Sequence, residues 1–193
     1  MAKVIYTYNN QILKSTDNEW YTEPEPPVVL DEVTIGTQTW MSKNLAIDDG
    51  GSGIYHADLT NVNGYNLGTQ YYYTWDAAVR IANSIQGWRL PSRNDYNTLS
   101  SYLGQTPEIR LPKYKATYAW GNYNGTDDYG FTALPVGYIT NNELIDVKYC
   151  INLWTTDAGS TDSNKLYLFI GTSNLAYSYA DKNNGLSVRL IKV

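Results

Sequence analysis

Hydrophobic residues near the middle of the chain recur at helical spacing. From residue 75 to residue 85, one face of the predicted helix collects Trp75, Ala78, Val79, Ala82 and Ile85. This spacing places them along a single side of an α-helix. Thr74 stands at the N-cap position, and Gly87 follows the helix end, as is common where helices stop. The pattern predicts a helix over 75–85 with this face turned inward.

A second helical pattern begins at Ser92, which forms an S-x-x-D capping pattern with Asp95. In such a pattern each side chain hydrogen-bonds the backbone N–H of the other residue. Tyr96, Leu99 and Leu103 follow on one face and are predicted to face the core, and Gly104 is predicted to end the helix.

Beyond residue 105 the helical period disappears and short β-type segments follow. The candidate strands are 131–139, 143–149, 152–156, 165–170 and 186–193. Two of them alternate clearly, because Leu166, Leu168 and Ile170 share one face while Tyr167 and Phe169 share the other. Residues 186–190 alternate in the same way.

Two short strands precede the helices, at residues 33–35 and 39–41. The Gly-, Asn- and Asp-rich residues 48–70 read as a long surface loop. Strands, two helices and then many strands are typical of an α+β fold and not of a wound parallel sheet.

The first thirty residues are set apart by a proline-rich run at 23–27. Such a run is stiff and extended. Before it, residues 4–8 and 11–14 read as a hairpin that turns at Asn9 and Asn10. We therefore expect residues 1–30 to be an attachment segment and residues 31–193 to be the main domain. The alternative for residues 1–30 is a disordered leader.

The composition narrows the possible partners. The chain holds 19 Tyr and 6 Trp but only 2 Phe, with a net charge of −5 and no run of Lys or Arg. Nucleic acid is excluded as an expected partner, because duplex binding needs a basic patch. No stretch reaches the ~20 apolar residues of a membrane span, and no secretory signal is visible.

The polar and aromatic residues of the C-terminal region are the candidate ligand-binding set. They are Asp157, Asn164, Tyr167, Phe169, Thr172, Ser173, Asn174, Tyr177, Tyr179, Asp181, Asn183 and Asn184. Tyr167 and Phe169 face away from the apolar side of their strand, and Tyr177 and Tyr179 also share a face. Exposed aromatics ringed by Asn, Ser and Asp are typical of interaction surfaces. The alternative is that the long loop or a neighbouring subunit covers some of them.

Six motifs occur in a fixed order along the main domain. They are IGTQTW at 35–40, YYTWDAA at 72–78, GWRLPS at 87–92, GFTALPVGY at 130–138, LWTT at 153–156 and GLSVR at 185–189. In this order they resemble the Fibrobacter succinogenes major paralogous domain family, over roughly residues 33–193. We expect these residues to be structural, with Trp40, Trp88, Leu90, Leu134, Trp154 and Val188 in the core and Arg89 tying the helices to the sheet.

The family is similar to formylglycine-generating enzymes and to the variable proteins of diversity-generating retroelements. The resemblance implies a C-type-lectin-like fold, in which two helices pack on small twisted antiparallel sheets and the terminal strands are adjacent. In retroelement-diversified proteins the variable positions precede the last strand, which is where the candidate set lies. The same analogy implies a homo-oligomer such as a trimer.

No enzyme chemistry is expected from this inventory. The formylglycine-generating relatives need paired cysteines and related sulfoxide synthases need several histidines, whereas this chain has only Cys150 and His56. No metal or cofactor is expected. The pairs Asp48-Asp49 and Asp127-Asp128 read as surface turns, with a calcium site as the alternative.

The favoured function is therefore ligand binding without chemistry. The first hypothesis is a receptor-binding protein of a phage or prophage tail, located in the virion and diversified by a retroelement, whose ligand is a bacterial surface protein or glycan. The second is a bacterial cell-surface or secreted adhesin of the same family.

Overall fold

A three-stranded antiparallel sheet forms at the start of the chain. Its strands are β1 (Tyr6–Tyr8), β2 (Gln11–Thr16) and β3 (Glu19–Thr22), in the order β1-β2-β3. The predicted hairpin is confirmed, since Tyr6 pairs with Leu13, and a third strand is added that the sequence did not indicate. The computed structural model describes residues 6–8, 11–16, 19–22, 28–159 and 161–193, and side chains from Val28 onward. The predicted turn at Asn9-Asn10 and the proline-rich run lie outside these residues.

Small antiparallel sheets and three α-helices make up the rest of the described chain, which confirms an α+β fold. The remaining elements are β4 (Glu32–Ile35), β5 (Gln38–Met41), β6 (Ile54–Leu59), β7 (Gly68–Tyr73), α1 (Trp75–Ser84), β8 (Trp88–Arg89), α2 (Arg93–Leu103), α3 (Pro107–Tyr114), β9 (Tyr138–Thr140), β10 (Glu143–Ile145), β11 (Cys150–Ala158), β12 (Asn164–Gly171), β13 (Leu175–Asp181) and β14 (Ile191–Lys192).

The first and last strands of the main domain meet in one four-stranded sheet, in the order β4-β5-β14-β8. Ile191 pairs with Trp40 of β5 on one side and with Arg89 of β8 on the other. The expected adjacency of the terminal strands is therefore present.

Both predicted helices form with the predicted caps. The Thr74 side chain accepts a hydrogen bond from the Ala77 N–H, and Ser92 with Asp95 completes a capping box before α2, which ends at Gly104. Such caps satisfy backbone N–H groups that have no partner within the helix. The inward face of α1 differs from the prediction, because Ala77 and Ile81 are buried while Trp75 and Val79 are half-buried.

A sheet of order β11-β12-β13 separates two hydrophobic clusters. On one side, Leu153 and its cross-strand partner Leu168 pack in the cluster that contains the α2 residues Tyr96, Leu99 and Leu103. On the other side, Trp154 packs with α1. Burial on both faces fixes the sheet between the helices.

The predicted structural roles of the family motifs are confirmed with one exception. Trp40, Trp154 and Val188 are fully buried, but Leu134 is only half-buried against the first cluster. Arg89 makes a bidentate ion pair with Asp95 at 2.7 and 2.8 Å, which ties β8 to α2.

Several element predictions were wrong. The strand predicted at 143–149 ends at Ile145, and the regular strand within 186–193 is limited to Ile191–Lys192. Residues 48–70 are not one loop, since β6 and β7 pair there and turn Tyr55, Ala57 and Leu59 toward the first cluster. Helix α3 follows residue 105, and it begins with Pro107 at its first position, where the missing N–H costs nothing. Residues 131–137 do not form a continuous strand, because Thr132 and Gly137 have left-handed φ angles of 51° and 69°. The segment joins its neighbours through isolated bridges such as Gly137 with Ile151.

Candidate functional site

Every predicted site residue is at least partly accessible to solvent. Five are exposed: Ser173, Asn174, Tyr179, Asp181 and Asn183. Seven are half-buried: Asp157, Asn164, Tyr167, Phe169, Thr172, Tyr177 and Asn184. Most of them lie on the β12–β13 hairpin, residues 164–181, which we name the terminal hairpin.

The two pairs of aromatic residues lie on opposite faces of the terminal hairpin. Tyr177 pairs with Leu168, whereas Tyr167 pairs with Ser178. Directly opposed residues of antiparallel strands project to the same face. Tyr177 and Tyr179 therefore share the α2 side with Leu168, and Tyr167 and Phe169 are on the α1 side. The structure does not bring the four rings into one patch.

Tyr177 is anchored to α2. Its hydroxyl donates to Asn97 Oδ1 at 2.9 Å, and the Arg93 guanidinium lies 4.9 Å from the ring centroid. Burial raises the pKa of Tyr177 to about 12, which the nearby positive charge of Arg93 only partly offsets. Tyr179, which is 56% exposed, is the more available ring.

On the opposite face, Tyr167 packs against the core. Its ring meets Trp154 edge to face, with centroids 6.4 Å apart. Tyr167 is partly buried and packs against the hydrophobic cluster that contains the inward side chains of α1. Tyr167 supports the sheet more than it offers a contact surface.

Thr172, Ser173 and Asn174 form the turn at one end of the hairpin. Lys115 Nζ donates to the Thr172 carbonyl at 2.9 Å, and the Gly171 N–H donates to the Asn174 carbonyl at 2.8 Å. These bonds hold the turn in place beside the end of α3.

The other end of the hairpin borders a depression of about 390 Å³ that is lined mainly by amide and hydroxyl groups. We name it the amide depression. Its lining residues are Tyr55, Ile139, Thr140, Asn141, Asn142, Asp181, Asn183 and Asn184. Three predicted site residues are thus combined with side chains from β6 and from the β9–β10 turn.

Backbone hydrogen bonds hold the walls of the amide depression together. Ile139 and Gly185 exchange N–H···O bonds of 2.7 and 2.9 Å, which fixes β9 beside the segment 181–185. Asp181 Oδ1 accepts from the Asn183 N–H at 2.9 Å and from Asn183 Nδ2 at 3.0 Å. The side chains are therefore positioned before any ligand arrives.

Asn141 and Asn142 form the two-residue turn between β9 and β10, with φ angles of 50° and 62°. Asparagine tolerates this left-handed backbone better than most residues. Sequence reasoning left both out of the candidate set, although their place between two predicted strands marked a turn. Tyr55 was missed because it falls in the segment expected to be a loop.

A second cavity, of about 430 Å³, lies against the buried side chain of Arg189. The guanidinium donates to Asn44 Oδ1 at 2.7 Å and to the carbonyls of Met41, Phe131 and Thr132. Burial lowers the pKa of Arg189 to about 10. These contacts join β5 and residues 131–132 to the segment just before β14, so the role of Arg189 is structural.

Cys150 and His56 lie in different surroundings. Cys150 is buried, and burial raises the pKa of its thiol to about 12. His56 is exposed on β6, 6.0 Å from the ring of Tyr71. Within residues 28–159 and 161–193, no three His, Cys, Asp or Glu side chains lie close enough to hold a metal.

The two Asp pairs take part in local bonds. Asp49 pairs with Arg80 at 2.8 Å, and this hydrogen bond lowers the pKa of Asp49 to about 2. Asp127 accepts hydrogen bonds from the N–H and the hydroxyl of Thr132. Asp49 and Asp127 therefore stabilise the loops that contain them.

None of the helices in the described residues has the length and apolar character needed to cross a membrane. No curated protein and no solved structure matches the chain. The model of the Fibrobacter succinogenes major domain matches residues 33–192, which is most of the chain and includes both helices with the sheets around them. On this match, the chain belongs to the Fibrobacter succinogenes major domain family.

Proposed function

We propose that this chain is a non-enzymatic binding module with a C-type-lectin-like fold that uses the amide depression to hold a surface ligand. The observation that carries the proposal is the meeting of Asp181, Asn183 and Asn184 with Asn141 and Asn142 in one depression. Asp181, Asn183 and Asn184 belong to the C-terminal region that the composition singled out. Asn141 and Asn142 reach the same depression from the turn between β9 and β10.

The chemistry of the lining favours a polar ligand. Each asparagine side chain offers two donors and one acceptor, and a carboxylate accepts only, so the depression can pair with a dense set of hydroxyl or amide groups. Tyr55 adds an aromatic wall on which the apolar face of a sugar or side chain can pack. A glycan or a polar protein surface of a bacterium fits this lining.

The positioning of these groups favours binding further. The bond from Asn183 to Asp181 and the Ile139–Gly185 bridge hold the walls in the free protein. A site that is already ordered loses less conformational entropy on binding. The absence of a buried apolar pocket at this place agrees with recognition of surfaces rather than of small apolar molecules.

For the biological setting, we keep the phage- or prophage-tail receptor-binding protein as the first candidate and the bacterial adhesin as the second. Diversification by a retroelement predicts that codons at 157–184 vary among isolates while those at 185–189 stay fixed. Sequencing the gene and its neighbours in many isolates tests this. Tail genes and a reverse transcriptase support the first setting, and a lipoprotein locus supports the second.

The binding proposal is tested with two depression variants, Asn142→Ala and Asn183→Ala. The measurement is binding to immobilised bacterial glycans and to whole cells. Asn94→Ala is the matched control, because Asn94 is exposed on α2 and lies outside the depression. We expect both depression variants to lose at least about tenfold in affinity while the control binds normally. Equal binding by all three variants contradicts the proposal.

A further inference from the structure

Strand β13 is the outer strand of its sheet and is bonded on one side to β12. The Lys182 N–H donates to the Ser163 carbonyl at 2.7 Å, and the Gly171 N–H donates to the Asn174 carbonyl at 2.8 Å. Both pairs continue the β12–β13 register, in which hydrogen-bonded and non-hydrogen-bonded pairs alternate. Even-numbered residues of β13 therefore direct their backbone groups to β12. Leu175, Tyr177, Tyr179 and Asp181 direct theirs outward.

This outward edge is open. Among the residues that the structure describes, none bonds the backbone N–H or C=O of Leu175, Tyr177 or Tyr179 on the outer side. From 175 to 180 the strand reads LAYSYA, with no proline and no charge. Proteins usually protect such edges with Lys, Pro or a bulge, because an unprotected edge pairs with another strand.

The sequence of β13 is its own mirror along the chain. Residues 176–180 read Ala-Tyr-Ser-Tyr-Ala, which is the same in both directions about Ser178. Two copies placed antiparallel about a two-fold axis at Ser178 oppose Tyr177 of one to Tyr179 of the other. The backbone N–H and C=O groups of both residues point away from β12, so Tyr177 of one copy and Tyr179 of the other can exchange two backbone hydrogen bonds, as an antiparallel pair requires. Their rings also become cross-strand neighbours on one face.

The same register brings a carboxylate of one copy toward an arginine of the other. It opposes Leu175 of one copy to Asp181 of the other, and Leu175 lines a small pocket with Arg110 of α3. Arg110 Nε is buried without a hydrogen-bond partner among the described residues, and no described carboxylate pairs with its guanidinium. Asp181 and Leu175 project to the same face of the hairpin. The second copy thus brings a carboxylate to an arginine that lacks one.

We infer that a second copy of this chain occupies the β13 edge, forming a two-fold symmetric dimer with one sheet of six strands. The pairing is isologous, so each contact occurs twice and the assembly closes at two copies. It also sets two amide depressions on one rigid body. This goes beyond the proposed function, which needs only one chain.

The first test uses the backbone. Tyr179→Pro removes the outward N–H but leaves the bonds of β13 to β12, whereas Tyr179→Ala keeps the N–H and removes the ring. Sedimentation equilibrium at micromolar concentrations gives the mass, and circular dichroism checks the fold. We expect the unaltered chain and Tyr179→Ala to be dimers and folded Tyr179→Pro to be a monomer. A monomeric or trimeric unaltered chain, or a dimeric Tyr179→Pro, overturns the inference.

The second test uses the charges and does not depend on a proline. Arg110→Glu and Asp181→Lys each place like charges together, and we expect each to raise the dimer Kd by about tenfold or more. The double variant restores opposite charges in swapped positions and should return the Kd to near its original value. No rescue in the double variant overturns this register. Because Asp181 also lines the amide depression, glycan binding is compared only for Arg110→Glu, which lies outside it. The mass then reports the dimer and glycan binding reports the proposed function, so the failure of one is distinguishable from the failure of the other.

Discussion

The hydroxyl of Tyr177 donates a hydrogen bond to Asn97 Oδ1 at 2.9 Å, joining two residues that are 80 positions apart in the chain. This bond docks the edge strand of the sheet on α2. It divides the roles of the two tyrosines on this face, because Tyr177 fastens the hairpin to the domain while Tyr179 projects beside it.

We therefore expect Tyr177→Ala and Tyr179→Ala to differ in stability. Tyr177→Ala removes a packed ring and its hydrogen bond, and should lower the free energy of unfolding by about 3 kcal/mol. Tyr179→Ala should change it by less than about 0.5 kcal/mol. Urea denaturation followed by circular dichroism measures both. Equal losses would mean that Tyr179 also packs in the folded chain.

The pKa of Tyr177 gives a prediction at alkaline pH. Because the pKa in the folded chain is about 12 and the ordinary value is 10.0, folding favours the neutral hydroxyl. The resulting stabilisation is complete below pH 10 and is lost as pH rises through 12. Tyr177→Phe should show a shallower loss of stability over this range than the unaltered chain. The measurement is the melting temperature against pH for both proteins, and parallel curves contradict the prediction.

The ion pair between Arg89 and Asp95 gives the matching prediction at acid pH. Burial alone would raise the pKa of Asp95, but the hydrogen bonds from Arg89 and Ser92 outweigh it and lower the pKa to about 2. The stabilisation is present above the ordinary value of 3.8 and is lost as pH falls through 2. Asp95→Asn should cost about 1–3 kcal/mol at neutral pH. That difference should shrink as the pH of the urea titration is lowered from 4 toward 2.

Gly137 allows a prediction with an internal control. Its φ is 69°, and a Cβ atom there would lie 2.1 Å from the Ile145 carbonyl oxygen, whereas Gly64 has a φ of 89° and open space around it. Gly137→Ala should destabilise the chain by about 3 kcal/mol or more, since backbone strain and a backbone clash add. Gly64→Ala should cost about 1 kcal/mol from strain alone. Comparable melting temperatures of the two variants would contradict a clash between the added Cβ atom at residue 137 and the Ile145 carbonyl.

Cys150 should be inert in the folded chain. It is buried and burial raises its pKa to about 12, so little thiolate forms at neutral pH and reagents cannot reach it. Mass spectrometry after treatment with iodoacetamide should show no labelling of the native protein and full labelling in urea. Rapid native labelling would show that β11 opens.

The helices with polar caps were predictable from the sequence, and the weaker elements were not. Ser92 and Asp95 mark the start of α2 because their interaction is local. Helix α3 has prolines at 107 and 112 and few apolar residues, so its formation depends on the packing of Leu111 and Tyr114. Strand β13 was missed because Ala and Ser occupy one face and tyrosines most of the other, which gives little hydrophobic alternation, although Leu175 and Tyr177 pack against the first cluster.

The candidate site was predictable only in part for a related reason. Composition along the chain singled out Asp181, Asn183 and Asn184, which lie together in sequence. Their neighbours Asn141 and Asn142 reach the same depression through the Ile139–Gly185 bridge, which joins residues far apart in the chain. A contact of this kind leaves no local pattern in the sequence.

The position of β14 between β5 and β8 has a consequence for synthesis. The ribosome delivers residues 191–192 after all the other strands of this domain, yet they occupy an inner place in their sheet. Until then β5 and β8 have no strand between them, and the buried side chain of Arg189 has not met its carbonyl partners. The domain therefore completes its fold after translation of this segment, and the nascent chain spends its synthesis with open edges that chaperones are suited to shield.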